Sequence, residues 1–230
     1  PEASAALYKA GMCLYHQRFY TQAIEAWRKL QADFPQSKET SQAVYQVDRD
    51  RLDLTGRDET GAVTFTQVAT SGIEIQKRLT FHADRYQAEV ALTVRNLAAT
   101  EVAVEPRLVW GPGLRNSLDK KNSTLQAPTL WLDGKRVQED LAKVNGQKAL
   151  PGELSWAALQ DTYFAAALLP GDKGLYAFVM KAAGDQPVVG VAAAKQVLPP
   201  DGRASVSARL FAGPKDLDIL KGAGQNLDNL

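Results

Sequence analysis

The spacing of hydrophobic residues changes once along the chain, from a helical period to the alternation of a β-strand. Up to about residue 51, apolar positions recur at helical spacing, and Pro35 interrupts them. They form two faces, made of Leu7, Ala10, Gly11 and Leu14, and then of Ala23, Trp27 and Leu30. The pattern predicts a helical hairpin within residues 1–51, with a third, capping helix from about Glu39 to Arg51.

The hairpin's spacing is similar to that of one tetratricopeptide repeat, with small residues at Gly11 and Ala23 where two helices cross. A generic helical hairpin is the alternative. A single repeat cannot bury its own faces, so it needs a neighbour. The concave face would carry Tyr8, Met12 and Tyr15, a lining that suits an extended peptide or a partner helix. Packing of that face on the rest of the chain, or dimerisation through it, is equally open.

Residues 52–62 are polar and turn-rich, which predicts a linker, and residues 63–230 form the second domain. Strands with one dry and one wet face are predicted there, at Ile73–Phe81, Tyr86–Val94, Val102–Trp110, Thr129–Leu132, Phe164–Leu169, Tyr176–Lys181, Val188–Ala192 and Ala204–Phe211. Because no helical segments separate them, we expect a mainly β fold, a large antiparallel sandwich. Most of Gly111–Pro151 is expected to be surface loop, with a hairpin turn at Asp133–Gly134.

A C-terminal helix is predicted directly after Gly213-Pro214, with proline at its start. Asp216 falls in its first turn, where a carboxylate favours the helix dipole. Leu217 and Leu220 make an apolar stripe, and Lys221 lies near its end. The stripe is expected to pack on the sheet, while Asp216, Asp218 and Lys221 form a polar side that faces a membrane surface or a partner.

The stretch Leu154–Pro170 combines Trp156, Tyr163 and Phe164 with a pair, Gln160-Asp161, that is expected to be buried. The aromatic side chains either form a recognition patch or fill the space between two sheets. Trp110, Trp156 and Tyr163, together with Trp131, are also candidates for a cleft that stacks against a sugar or a peptide.

Composition excludes several classes of function. The chain has 27 basic and 26 acidic residues, so no concentrated basic face is expected and nucleic acid is not a predicted partner. One cysteine, Cys13, and two histidines, His16 and His82, leave no disulfide and no predicted metal or cofactor site. Asp161 or Glu153 could act as a base, but neither has an evident acid partner, so no enzyme is expected. No run of about 18 apolar residues occurs, and we expect the chain to be an excised piece of a longer protein.

Two C-terminal segments together resemble the periplasmic domain of the YidC membrane-protein insertases, within the YidC/Oxa/Alb family. They are residues 156–170, WAALQDTYFAAALLP, and residues 210–220, LFAGPKDLDIL. Supporting matches are KRLTF at residues 77–81, Tyr86, VRN at residues 94–96 and WGPGL at residues 110–114. The resemblance covers roughly residues 63–230. The family's first strands have no counterpart here, and the helical hairpin stands in their place as an insertion or fusion.

The resemblance implies a β-supersandwich of the galactose-mutarotase type and a C-terminal helix that leads to a membrane region absent from this chain. It also implies a non-enzymatic domain at the periplasmic face of the bacterial inner membrane, anchored there in the full-length protein. The implied partners are the Sec translocon, SecDF-type accessory proteins and nascent membrane proteins, with contacts through the C-terminal helix. A free-standing ligand-binding sandwich with a tetratricopeptide-like adaptor is the alternative.

Overall fold

A computed structural model describes residues 2–16, 20–34, 46–47, 59–111, 114 and 127–230. The chain divides into two compact units, which are described separately. The first comprises residues 1–47 and 65–67, and the second residues 48–64 and 68–230. Strand β2 begins at Thr60, so the last residues of the predicted linker are strand.

The first unit contains helices α1 (Glu2–His16) and α2 (Tyr20–Asp33), as the helical period predicts. The indole Nε1–H of Trp27 donates a hydrogen bond of 3.4 Å to the main-chain oxygen of Tyr8, which ties the two helices together. The short strand β1 (Gln46–Val47) pairs with Thr66 and Phe65 of β2 (Thr60–Val68). The predicted capping helix is therefore wrong at residues 46–47, because the backbone there is extended and paired. Its other residues lie outside the described ranges.

The second unit is built almost wholly of strands. They are β3 (Ile73–His82), β4 (Gln87–Asn96), β5 (Val102–Val104), β6 (Arg107–Trp110), β7 (Thr129–Leu132), β8 (Lys135–Gln138), β9 (Gln147–Leu150), β10 (Leu154–Gln160), β11 (Phe164–Pro170), β12 (Tyr176–Ala182), β13 (Gln186–Ala192), β14 (Gln196–Leu198) and β15 (Arg203–Pro214). Helix α3 (Leu217–Ala223) follows β15 and precedes a short 3₁₀ turn at Leu227–Asn229. The prediction that this helix starts at proline is wrong, because Pro214 is the last residue of β15 and Asp216 is the N-cap of the helix.

Two sheets form the sandwich. From β2 onward the larger sheet has the order β2-β3-β4-β15-β11-β10-β7-β8, the smaller sheet has the order β6-β13-β12-β9, and β14 pairs with β5 as a ribbon. Neighbouring strands run antiparallel, as at β11 and β15 or β12 and β13. The predicted mainly β, antiparallel fold with a helix at each end is confirmed.

The space between the sheets is filled by two apolar clusters. In one of them Leu130 and Leu159 of the larger sheet contact Val179 and Val189 of the smaller sheet. In the other, the larger sheet contributes Val90, Leu168 and Val206, and the smaller sheet contributes Leu108 and Val191. We call these two clusters the inner core.

Burial follows the predicted alternation on some strands and departs from it on β3. On β4, Ala88, Val90 and Val94 are buried between exposed or half-buried neighbours. On β3, by contrast, Ile75 and Phe81 are each 36% exposed. Leu79 is the β3 side chain that packs on the inner core, so the apolar face predicted for this strand is largely open.

Two further expectations need correction. The predicted strand Val102–Trp110 is two strands, because Pro106 cannot donate to a ladder and β5 and β6 pair with different partners, β14 and β13. Within Gly111–Pro151, expected to be mostly loop, the described residues form the predicted strand β7 and two strands that were not predicted, β8 and β9. The hairpin turn at Asp133–Gly134 is confirmed, with φ angles of 50° and 71°.

Candidate functional site at the end of strand β15

The two segments that carry the resemblance lie side by side in the larger sheet. Strands β11 and β15 pair from Phe164 opposite Pro214 to Pro170 opposite Ala208. Segments some forty residues apart in the chain therefore form one continuous antiparallel ladder at the centre of the sheet. The two segments, which are separate in the sequence, therefore form one structural unit.

Strand β11 is apolar throughout because both of its faces are covered. On one face Leu168 packs in the inner core. On the other, Ala165, Ala167 and Leu169 pack against the residues that follow β15, through Leu220, Ala223 and Leu227. We call this second cluster, which also contains Trp156, Ala158 and Phe211, the outer core. Alanine at three of its sheet positions gives a short helix room to approach closely.

Hydrogen bonds hold residues 217–230, the C-terminal segment, on the outer core. The indole Nε1–H of Trp156 donates to the main-chain oxygen of Asn226 at 3.2 Å, and Arg209 Nη1 donates to that of Ala223 at 3.0 Å. Trp131 stacks on Trp156 with ring centroids 6.3 Å apart. Gln225 and Asn226 both have left-handed backbone, with φ angles of 52° and 61°, which makes the turn sharp enough to place Leu227 in the outer core.

Helix α3 has one anchored side and one open side. The side-chain oxygen of Asp216 accepts from the main-chain N–H groups of Asp218 and Ile219 at 3.0 and 3.1 Å, which caps the helix. Leu220 is buried, whereas Leu217 is 55% exposed. Asp218 and Lys221 are exposed too. Of the residues predicted to meet a partner, Leu217, Asp218 and Lys221 form an open flank, while Asp216 and Leu220 have structural roles.

The turn between β10 and β11 differs from the expectation of a buried polar pair. Gln160 is buried, but Asp161 is half-buried and serves the turn, since its Oδ1 accepts from the main-chain N–H groups of Tyr163 and Phe164 at 2.7 Å each. Tyr163 is 73% exposed and Phe164 54% exposed. The expectation that these rings fill the space between the sheets is therefore wrong.

Hydrogen bonds join the same turn to the junction between β15 and α3. The main-chain N–H of Lys215 donates to the oxygen of Tyr163 at 2.8 Å, and Lys215 Nζ lies 3.4 Å from the main-chain oxygen of Asp161. Tyr86, 52% exposed, lies against Gly213, where an added Cβ would come within 2.7 Å of its ring carbon Cγ.

The three aromatic residues proposed for a cleft have three different environments. Trp156 is fully buried in the outer core, and Trp110 packs against both inner-core clusters. Tyr163 is exposed. The structure does not bring them together around a cleft, because Trp156 packs on the outer face of the larger sheet, Trp110 packs between the two sheets and Tyr163 faces solvent.

The residues proposed for the concave face of the helical hairpin are only partly described. Tyr8 lies on α1 with a half-buried side chain, and its main-chain oxygen accepts from Trp27. Met12 and Tyr15 lie on α1 as well, but their side chains are outside the described set. The binding role of this face remains a prediction, as does the likeness to a tetratricopeptide repeat.

The candidate catalytic groups make structural contacts. The Oδ1 of Asp161 is engaged in the turn, as described above, and the main-chain N–H of Glu153 donates to Asp133 at 2.7 Å. His82 Nε2 lies 3.6 Å from Glu89. Among the residues that the structure describes, no three His, Cys, Asp or Glu side chains are grouped so as to hold a metal ion.

A polar cluster that sequence reasoning missed lies beside the smaller sheet. Tyr176 and Arg107 both donate hydrogen bonds to Glu105, and Arg107 also donates to Gln147 at 2.7 Å. The hydrogen bond from Tyr176, followed by that from Arg107, lowers the pKa of Glu105, and the same bond to Glu105 raises the pKa of Tyr176. These residues come from separate parts of the chain, so no local sequence motif indicates that they form a cluster.

The family model of the YidC periplasmic domain matches residues 20–230. The chain belongs to this family. The match begins at the start of α2, so it reaches further toward the N-terminus than the resemblance over residues 63–230. Strand β2 also precedes β3, which corrects the expectation that no strand comes before the Lys77 strand. Among the described residues, no helix has the length and apolar character needed to cross a membrane.

Curated proteins that are similar to this chain carry the name of the same family. The "Membrane protein insertase YidC" of Syntrophus aciditrophicus is 27% identical over 186 residues, covering 80% of this chain and 34% of the relative. That of Shewanella piezotolerans is 26% identical over 203 residues, covering 84% and 36%. The chain thus spans about a third of the length of these curated relatives.

The similarity of this chain to solved structures concerns the fold alone. α-Galactosidase AgaB of Geobacillus stearothermophilus, a GH36 enzyme, superposes with a TM-score of 0.52 at 10% identity, over 75% of this chain and 27% of that protein. The galactosidase domain of the α-galactosidase–sucrose kinase AgaSK gives a TM-score of 0.52 at 10% identity, over 76% and 28%. At such identities the likeness extends to the arrangement of strands and no further.

Proposed function

We propose that this chain is the non-enzymatic periplasmic domain of a membrane-protein insertase and that it acts as a scaffold for protein contacts. Its partners would be the Sec translocon, SecDF-type accessory proteins and nascent membrane proteins, at the periplasmic face of the inner membrane. Family membership supports the setting, because the relatives named above are membrane-protein insertases of which this chain covers about a third.

The observation that carries the scaffold role is the open flank of α3. The helix is anchored through Leu220 and Ala223, so the backbone that carries its outward side chains is already ordered and binding loses less entropy there. That flank presents Leu217, an exposed apolar residue, beside the charged residues Asp218 and Lys221. An apolar centre with charged neighbours is the usual make-up of a protein contact.

Charge reversal on the flank tests the proposal in the full-length insertase. Asp218→Lys combined with Lys221→Glu keeps the net charge and leaves the cap residue Asp216 intact. We expect capture of SecDF-type proteins from detergent extracts to fall several-fold. Asp185→Lys combined with Lys181→Glu, a charge swap at an ion pair beside the smaller sheet, is the matched control. Unchanged capture by the flank variant would contradict the proposal.

The alternative of a ligand-binding sandwich gains no observation in its favour. Two of the three aromatic side chains offered for a cleft pack within apolar clusters. The solved α-galactosidase structures share the fold alone. The scaffold role therefore stands as the function that the family and α3 support best.

A further inference from the structure

The short connection that leads into β9 contains the one Asn-Gly pair of the sequence, Asn145-Gly146. Asparagine followed by glycine is typical of a turn. Gly146 has a φ angle of 70°, a backbone conformation that glycine adopts without strain. The other asparagines that the structure describes, Asn96, Asn226 and Asn229, are each followed by leucine. The residue that follows therefore sets Asn145 apart from them.

The structure leaves both residues of this pair open to solvent and unconstrained. Asn145 and Gly146 are exposed, and a Cβ added to Gly146 would meet no heavy atom within 4 Å. Among the described residues, no hydrogen bond holds the side chain of Asn145 or the main-chain N–H of Gly146. Asn96, by contrast, is fully buried, and its Nδ2 donates to the main-chain oxygens of Thr100 and Leu198 at 2.8 and 3.0 Å. The side chain of Asn145 is therefore free to turn toward the next main-chain nitrogen, whereas that of Asn96 is not.

We propose that Asn145 is a site of spontaneous deamidation and isomerisation, with water as the co-reactant. The main-chain nitrogen of Gly146 forms a bond to Cγ of Asn145. The bond from Cγ to the side-chain nitrogen breaks, and that nitrogen leaves as ammonia with the proton of the Gly146 amide. Water then opens the resulting cyclic succinimide at either carbonyl and yields aspartate or isoaspartate, without any oxidation or reduction. Glycine favours ring closure because it has no Cβ to hinder the attacking nitrogen.

The place of the pair in the fold determines what its conversion changes. Val144, directly before it, is 2% exposed and packs in the inner core. Gln147, directly after it, pairs with Met180 of β12 and accepts a hydrogen bond from Arg107 at 2.7 Å. Isoaspartate leads the main chain through its Cβ and so adds one carbon to the backbone between these two anchored residues. Because β9 is the last strand of the smaller sheet, we expect β9 to loosen while the inner core stays closed.

The two Asp-Gly pairs of the second unit, which form the same cyclic intermediate by loss of water, are held in place. The carboxylate of Asp133 accepts from the main-chain N–H of Glu153 at 2.7 Å, and that of Asp201 accepts from Arg95 at 2.7 Å. Each would have to give up a hydrogen bond to a stable partner before it could face the next nitrogen. The proposal for Asn145 is independent of the scaffold role, since it uses none of the residues on the α3 flank.

Ageing of the purified chain in warm, mildly alkaline buffer tests the proposal. Peptide mass spectrometry follows each asparagine, and methylation by an isoaspartyl methyltransferase detects isoaspartate. Among the described asparagines we expect conversion at Asn145, at a rate within a few-fold of that of a short unfolded peptide with the sequence of residues 141–150. The rate should rise with pH, because the attacking amide must lose its proton. Gly146→Ala should slow conversion several-fold, and the matched control Asn145→Gln, whose longer side chain would have to close a larger ring, should abolish it.

Amide hydrogen exchange of the aged samples tests the structural consequence, and circular dichroism checks that each sample is folded. Exchange in residues 147–150 should become faster in the aged parent and stay unchanged in aged Asn145→Gln. Conversion in the short peptide without conversion in the folded chain would overturn the proposal. Equal conversion at Asn226 or Asn229 would overturn it as well, because the following glycine would then not matter. Conversion at Asn145 with unchanged exchange in β9 would overturn the predicted loosening of that strand.

Discussion

The two faces of the larger sheet are closed by different means. The inner face is covered by a second sheet, and large residues such as Leu159, Val179 and Val189 fill the gap. Among the described residues, the outer face at β10, β11 and β15 is covered by residues 217–230, which pack on three alanines together with Trp156 and Phe211. The same strands therefore serve two cores, one made by many distant segments and one made by a single local segment.

This difference has an energetic consequence. The inner core cannot open without separating two sheets, so its residues should exchange amide hydrogens through global unfolding. The outer core depends on a short helix, a left-handed turn and a few hydrogen bonds. It should open locally while the sandwich stays folded. Variants placed on either face therefore test whether the two cores open separately.

The largest effect is expected for Trp156→Ala. This change removes the largest fully buried side chain, its stacking on Trp131 and its bond to Asn226. We expect the free energy of unfolding to fall by about 3 to 5 kcal/mol, as for other buried aromatic truncations. Urea unfolding followed by circular dichroism measures it. A loss within the error of the fit would show that the outer core contributes little.

The next pair of variants separates the two cores. Leu159→Ala on the inner face and Leu227→Ala on the outer face remove the same group from fully buried sites. Each should create a cavity that costs about 2 to 5 kcal/mol. Leu159→Ala should shift the whole unfolding transition, whereas Leu227→Ala should mainly speed amide exchange in residues 217–230. Equal exchange profiles for the two variants would argue against separate cores.

A larger side chain at one of the outer-core alanines tests how closely α3 packs on the sheet. Ala167→Leu adds volume where α3 lies close to the sheet, and overpacking of this kind costs about 1 to 3 kcal/mol. Ala212→Leu, at an exposed position of β15, is the control and should be nearly neutral. Thermal unfolding of the two proteins compares them. If both behave like the parent, the helix is not closely packed on the alanines.

The smallest effect concerns the cap of α3. Asp216→Ala removes the acceptor for two main-chain N–H groups and should cost about 1 kcal/mol. Asp218 lies two residues further along and is exposed. Asp218→Ala should lower the free energy of unfolding by about a few tenths of a kcal/mol at most. Urea midpoints measured side by side give the contrast. Similar losses for both would assign the stabilisation to charge near the helix start rather than to capping.

The strands that the sequence predicted are those with one buried face and one exposed face. Strands β4 and β15 alternate because one face is buried, and Ala204, Val206 and Ala208 mark it plainly. Strand β10 was not among the predicted strands, because Trp156 to Gln160 are all buried and no alternation exists. Strands β8 and β9 are short and mostly polar, so their pairing with β7 and β12 left no pattern.

The site was predictable in outline and not in detail. The C-terminal helix was predicted, but it begins at Leu217 and not at Pro214, and of its predicted stripe Leu220 is buried whereas Leu217 is exposed. The side on which Trp156 lies depends on the cover supplied by Leu220 and Leu227. Tyr163 and Phe164 have the composition of core residues, yet the turn set by Asp161 exposes them. Such outcomes follow from long-range packing, which overrides local preference.

Hydrogen exchange at the tryptophan indoles tests most directly whether residues 217–230 close a second core. Trp156 donates to Asn226 beneath that segment, while the Nε1 of Trp110 is buried against the inner core. The account predicts slow exchange at both indoles in the parent protein. In Leu227→Ala it predicts fast exchange at Trp156 and unchanged exchange at Trp110. Free exchange at Trp156 in the parent, or equal acceleration at both indoles in the variant, would contradict it.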